Sequence, residues 1–122
     1  MDRIRESGEM YLETILLLSQ KKGNVRSVDI VNKLGYSKSS VSKGVNTLKA
    51  MGYIRFDENE CIHFTESGRR KAEETYERHC TLTELLVKMG VSRERAEEDA
   101  CRMEHVISEE TFSAIKDYLK KI

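Results

Sequence analysis

Between Ser7 and Lys21 the apolar residues recur at helical spacing, with Leu12, Ile15, Leu16 and Ser19 on one face, and Lys-Lys-Gly-Asn then ends the segment. From Ser27 a shorter helix turns Ile30, Val31 and Leu34 inward and stops at Gly35. After a turn, Ser37 can N-cap a second helix with Val41, Val45 and Leu48 inward. This is a helix-turn-helix pattern. Gly44 inside the second helix conflicts with it by about 1 kcal/mol against Ala, unless close packing or backbone approach to DNA requires a glycine there.

At Tyr53 the period changes to two. Ile54 with Phe56, and Ile62 with Phe64, share parities around a polar tip, Asp57-Glu58-Asn59-Glu60, which predicts a hairpin wing with Arg55 and His63 outward. His63 reads as a surface strand residue, and the acidic tip argues against deep insertion into a groove. Thr65 then caps a long helix through about Met89, closed by Gly90, with Ala72, Tyr76, Leu82, Leu85, Leu86 and Met89 on its apolar side. Ser92 caps the next helix. Ser108 caps the last, with Glu109 and Glu110 in its positive first turn. Phe112, Ile115, Leu119 and Ile122 make a stripe on that helix. Together with Val91, Ala96, Ala100, Met103, Val106 and Ile107 it exceeds what so small a helical pair buries for itself, and a homodimer interface is its natural use.

The expected fold is therefore mainly α with a small β wing. A winged helix-turn-helix domain over residues 1–70 is followed by a helical domain, 71–122, for dimerisation. The 122 residues, 39% hydrophobic, suffice for one compact core or two small lobes. The longest apolar run, Ile15 to Leu18, is far too short to span a bilayer, and the opening Met-Asp-Arg-Ile-Arg lacks a signal-peptide pattern, so a cytoplasmic protein without a membrane partner is expected. Cys61, Cys80 and Cys101 are odd in number and form no Cys-x-x-Cys pair, which disfavours a disulfide framework or a zinc knuckle.

The net charge is zero, yet residues 21–56 carry eight Lys and Arg against the single acid Asp29. A polyanion would bind this middle third. The outward face of the second short helix holds Lys38, Ser39, Ser42, Lys43, Asn46 and Lys49, cations for phosphate beside short polar groups for base edges, with no acid among them. Ser37 and Ser40 at the start of that helix, Arg26 before the motif and Arg55 on the wing extend the expected contact surface for double-stranded DNA.

The densest ligand chemistry lies in Asp99-Ala100-Cys101-Arg102-Met103-Glu104-His105. On a helix Cys101, Glu104 and His105, at i, i+3 and i+4, share one face, and thiolate, carboxylate and imidazole are all donors to first-row transition metals. Taken alone, the segment equally fits a small buried cysteine beside a solvated Glu–His pair. Likewise Met10 and Glu13 read, without context, as a core-edge methionine beside an exposed glutamate, and His79 as a structural histidine on a long helix.

With the winged helix, Glu-Met-Tyr-Leu-Glu near the start and Asp-Ala-Cys-Arg-Met-Glu-His-Val-Ile-Ser in view, the chain resembles, end to end, the diphtheria-toxin-repressor and manganese-transport-regulator family of metal-dependent transcription factors. The resemblance implies a metal site of Met10, Cys101, Glu104 and His105, as in the iron-type branch. Glu13 and His79 match ligands of the manganese-type branch. It implies Fe(II) or Mn(II), with Fe(II) favoured by the thiolate and thioether, and Co(II), Ni(II) or Zn(II) as substitutes in vitro. One site per subunit is expected. The second site of longer members is incompletely matched, by Thr83 and Glu97, and the resemblance is expected to be to the short form without their SH3-like domain.

The function expected is a homodimeric, divalent-metal-activated repressor binding a pseudo-palindromic operator in metal homeostasis, with no catalytic activity and no small-molecule substrate. Two alternatives stay open. A metallohydrolase lacks a His-Glu-x-x-His arrangement. A metal-independent winged-helix regulator would sense an oxidant through Cys101, or a small ligand.

Overall fold

The computed structural model describes residues 6–122, apart from the side chains of residues 6 and 7; the opening Met-Asp-Arg-Ile-Arg lies outside them. The elements run α1 (Glu6–Lys22), α2 (Ser27–Leu34), α3 (Lys38–Ala50), β1 (Ile54–Phe56), β2 (Ile62–Phe64), α4 (Glu66–Lys88), α5 (Arg93–Met103) and α6 (Glu109–Lys121). They form two units, one ending at Glu73 and the other Glu74–Ile122.

In the N-terminal unit the apolar periodicity becomes the core. Leu12, Ile15 and Leu16 of α1, Ile30 of α2, and Val41, Val45 and Leu48 of α3 are all buried. Gly35 ends α2 in the left-handed region at φ 74°, where glycine carries no Cβ penalty, and its N–H donates to the Val31 carbonyl. Ser37 opens α3 by accepting the Ser40 N–H at 3.1 Å. The conflict at Gly44 is explained by packing: a Cβ there would stand 2.1 Å from a ring carbon of Tyr11, itself buried. The third helix approaches α1 through that missing atom.

The wing strands pair antiparallel, Ile54 with Phe64, Arg55 with His63 and Phe56 with Ile62. A bridge from Val25, whose carbonyl accepts the Ile62 N–H at 2.7 Å, extends the sheet in a way the sequence pattern does not reveal. The acidic tip is partly self-satisfied. Asp57 Oδ1 accepts the N–H groups of Asn59 and Cys61 at 2.8 and 3.0 Å, and Oδ2 lies 2.8 Å from His63 Nε2. The bond from His63, reinforced by these N–H donors, holds the Asp57 carboxyl down at about 2. Behind the wing, Thr65 caps α4 by accepting the Gly68 N–H at 3.1 Å. Gly68 is obligatory in a simple sense: its Cβ would fall 1.8 Å from the Tyr53 carbonyl oxygen.

In the C-terminal unit Leu82, Ala96, Ala100 and Phe112 are buried. Ser92 and Ser108 cap α5 and α6, accepting the N–H groups of Arg95 and Thr111. Two expectations change. Met89, assigned to the apolar side of α4, lies beyond the helix end in the turn closed by Gly90 (φ 105°) and is 69% exposed. The helix carrying Cys101 stops at Met103, so Glu104 is its C-cap and His105 follows in a turn.

Candidate metal centre and nucleic-acid interface

The donor cluster is assembled at the exit of α5. Cys101 lies in the last turn of the helix, one turn before Glu104, whose N–H still donates to the Ala100 carbonyl at 2.9 Å. Near-helical backbone at Glu104 (φ −60°, ψ −24°) keeps the three donors on one side although the helix has ended. One ligand atom from each of Cys101, Glu104 and His105 lies within 4.8 Å of the others. The α4 segment contributes His79, whose Nδ1 is 3.3 Å from Glu104 Oε2, while His105 Nε2 is 3.2 Å from Glu104 Oε1. Each carboxylate oxygen thus faces a different imidazole.

Burial sharpens the chemistry. The side chain of Glu104 is inaccessible to solvent, that of His105 nearly so, and that of His79 is one-fifth exposed. A carboxylate withdrawn from water needs compensating positive charge, and buried ionic groups either pair or coordinate metals. Two imidazoles, a carboxylate and a thiol are a donor set that fits a divalent first-row transition ion and suits neither Ca(II) nor Mg(II), which take oxygen ligands. Thr83 donates its hydroxyl to the His79 carbonyl at 2.8 Å, and the Tyr76 ring lies parallel to the His79 ring at 6.3 Å. The Tyr76 ring thus flanks the His79 imidazole from the same helix, and that imidazole stands against Glu104.

Met10 and Glu13 stand on α1 of the N-terminal unit. Glu13, which its sequence surroundings alone present as an exposed residue, is buried at 8% exposure. Tyr36, in the turn before α3, donates its hydroxyl to Met10 Sδ at 3.5 Å. Nothing in the alternation of polar and apolar residues marks that contact.

The expected nucleic-acid face is solvent-accessible. Arg26, Ser37, Lys38, Ser39, Ser40, Ser42, Lys43, Asn46, Lys49 and Arg55 are all exposed. Asn46 Nδ2 lies 3.4 Å from Ser42 Oγ, so two groups suited to base edges steady one another. Lys49 projects over the Phe56 ring at 5.7 Å, joining the end of α3 to the wing. His63 faces Asp57 within the wing, in keeping with a strand residue outside the metal chemistry.

A winged helix presenting a basic helix, in a chain that also gathers buried transition-metal donors, defines a DNA-binding regulator whose input is a metal ion. Comparison with known proteins gives the family. Residues 3–60 match the iron dependent repressor N-terminal DNA binding domain, and residues 65–122 match the iron dependent repressor metal binding and dimerisation domain. The chain belongs to the iron-dependent repressor family of metal-dependent transcriptional regulators.

Among its relatives, the transcriptional regulator MntR of Escherichia coli O6:H1 is 37% identical over 117 residues, covering 96% of this chain and 76% of MntR. The iron-dependent repressor IdeR of Mycobacterium bovis is 32% identical over 111 residues, covering 90% of this chain and 48% of IdeR. The crystal structure of T. acidophilum IdeR superposes with a TM-score of 0.81 at 28% identity, covering 98% of this chain and 56% of that one. The chain thus spans about half the length of these IdeR proteins. No helix among the described residues is long and apolar enough to cross a membrane.

Proposed function

We propose that this protein is a divalent-metal-activated transcriptional repressor that binds a pseudo-palindromic operator as a homodimer and controls metal-ion homeostasis. The observation that carries the reading is the Glu104 carboxylate, buried with an imidazole against each oxygen and Cys101 beside it. Cys101, Glu104, His105 and His79 are the ligands from the C-terminal unit, and the family resemblance adds Met10 and Glu13 of α1 as donors. When bound, the divalent ion supplies the positive charge and directional bonds that this donor set calls for. The residues do the rest. Met10 and Glu13 share α1 with Tyr11, and Tyr11 is in contact with Gly44 of α3, so a constraint on the first helix is felt by the reading helix. A dimer reads two half-sites only when its recognition helices have the spacing and orientation of successive major grooves. Restraining α1 shifts the population toward that arrangement, and metal and DNA strengthen each other's binding reciprocally.

The metal is Fe(II) in preference to Mn(II), because the thiolate of Cys101 and the thioether of Met10 are soft donors, whereas Mn(II) suits oxygen and imidazole. Anaerobic titration of Fe(II) and Mn(II), read by anisotropy of DNA from the chain's own promoter region, tests the reading. Chelated protein should bind specific and random DNA alike, metal should restore discrimination, and Glu104→Gln should lose that response while sedimenting as a dimer. Equal operator affinity with metal and with chelator would refute it.

A further inference from the structure

We infer that Arg78 is the positioning residue of the metal centre, fixing the turn from which Glu104 and His105 project; the inference rests on the metal reading above. Arg78 precedes His79 on α4 and reaches across the unit with its whole guanidinium. Nη1 donates to the carbonyls of Glu104 at 3.3 Å and Ile107 at 2.9 Å, and Nη2 donates to Glu109 Oε2 at 2.9 Å. The guanidinium carbon lies 5.1 Å from the centre of the Phe112 ring, and the side chain is only 20% exposed.

The location explains why a cation of this shape is needed. A helix leaves its last four carbonyls without intrahelical partners, and α5 ends at Met103, so the carbonyls that follow need donors from elsewhere. The Glu104 carbonyl, at the C-cap of α5, also sits at the negative end of that helix's dipole, where positive charge is favourable. An ammonium could supply charge but not two N–H groups in a plane aimed at two carbonyls with a third aimed at a carboxylate; the guanidinium fork does. Gripping Glu104 and Ile107 fixes the backbone torsions between them, and both the Glu104 and His105 side chains leave from that stretch. The next residue along α4, His79, meets the carboxylate of the same Glu104. Adjacent residues thus hold the main chain and face the side chain of one ligand, so that the donors are set before an ion arrives. Groups of this kind around a metal site are worth about 10- to 100-fold in affinity when removed.

The test uses the whole 122-residue chain and two probes. Mn(II) affinity is followed by the electron paramagnetic resonance signal of the free ion, and Co(II) binding by its visible absorption, which reports coordination geometry. Arg78→Lys and Arg78→Gln should weaken Mn(II) binding by about 10- to 100-fold and shift the Co(II) bands. Glu109→Gln removes only the arm to α6 and should change Mn(II) affinity no more than about fivefold, with the Co(II) bands unmoved. If Arg78→Gln loses helicity, Arg78→Lys decides. Wild-type affinity and an unshifted Co(II) spectrum in Arg78→Lys would overturn the inference while leaving the metal reading intact. A Glu109→Gln variant as weak as Arg78→Lys would also overturn it, since the role would then be to tether α6. A wild type that takes up neither ion would overturn the metal reading and this inference together.

Discussion

Gly44→Ala tests whether α3 is fixed by its approach to the first helix. In an exposed helix interior the change stabilises by about 1 kcal/mol, because alanine restricts the unfolded chain and is the better helix former. At position 44 the added Cβ would stand 2.1, 2.7 and 2.9 Å from three carbons of the Tyr11 ring. That ring is 6% exposed and meets Tyr36 edge-on, at 6.3 Å and 79°. It cannot yield like the tip of a flexible side chain. Overpacking costs about 1–3 kcal/mol, and a clash with the body of an aromatic ring belongs at the upper end, so the net expectation is a loss of about 2 kcal/mol. Urea unfolding of the metal-free chain by far-UV circular dichroism measures it. The same substitution in a Tyr11→Leu background should turn stabilising, by up to about 1 kcal/mol, because the obstruction is gone. A Gly44→Ala protein as stable as wild type with Tyr11 in place would refute the packing argument.

Three further outcomes follow from the geometry. Lys49→Ala should weaken binding to operator and random DNA alike and reduce the salt slope by about 0.9, one phosphate's worth; an unchanged slope would mean that Lys49, over Phe56, does not reach the backbone. Asp57, with a folded-state pKa of about 2 against an ordinary 3.8, contributes stability that is present above pH 3.8 and lost as the pH falls toward 2. Its carboxyl carbon shift should titrate near 2, Asp57→Asn should remove that part of the acid dependence, and a midpoint near 3.8 would show that the contacts of the wing tip do not persist in solution. Cys101→Glu should let Mn(II) activate operator binding at lower concentration relative to Fe(II) than in wild type, and an unaltered ratio would show that the thiolate does not set the choice of metal.

What was legible in the sequence was what local chemistry dictates. The caps at Ser37, Thr65, Ser92 and Ser108 are visible because hydroxyls before periodic runs satisfy exposed helix N–H groups, and each does so here. The hairpin and the shared faces of its strands followed from parity, and the exposure of the basic helix from a run of cations without acids. Glu13 was misjudged from its neighbours because burial is a property of the folded chain. Val25 bridging Ile62 and Arg78 gripping carbonyls 26 and 29 residues away left no trace in any periodicity, since a main-chain carbonyl is offered by a residue of any type. The helix end at Met103 was missed for a related reason: Ala-Cys-Arg-Met-Glu-His contains no glycine or proline to announce a stop.

That early ending bears on how binding and folding are coupled. Had Glu104 and His105 lain inside a regular helix, a peptide copying that helix could have presented them. In a turn whose path is set by a guanidinium from α4, the donors converge only when the C-terminal unit is folded, and the unfolded chain offers the ion nothing comparable. An ion that binds the native state alone adds RT ln(1 + [L]/Kd) to its stability, about 2.7 kcal/mol at a hundredfold excess over Kd. Metal supply would then be read out twice, in the occupancy of the operator and in the resistance of the protein itself to unfolding and proteolysis.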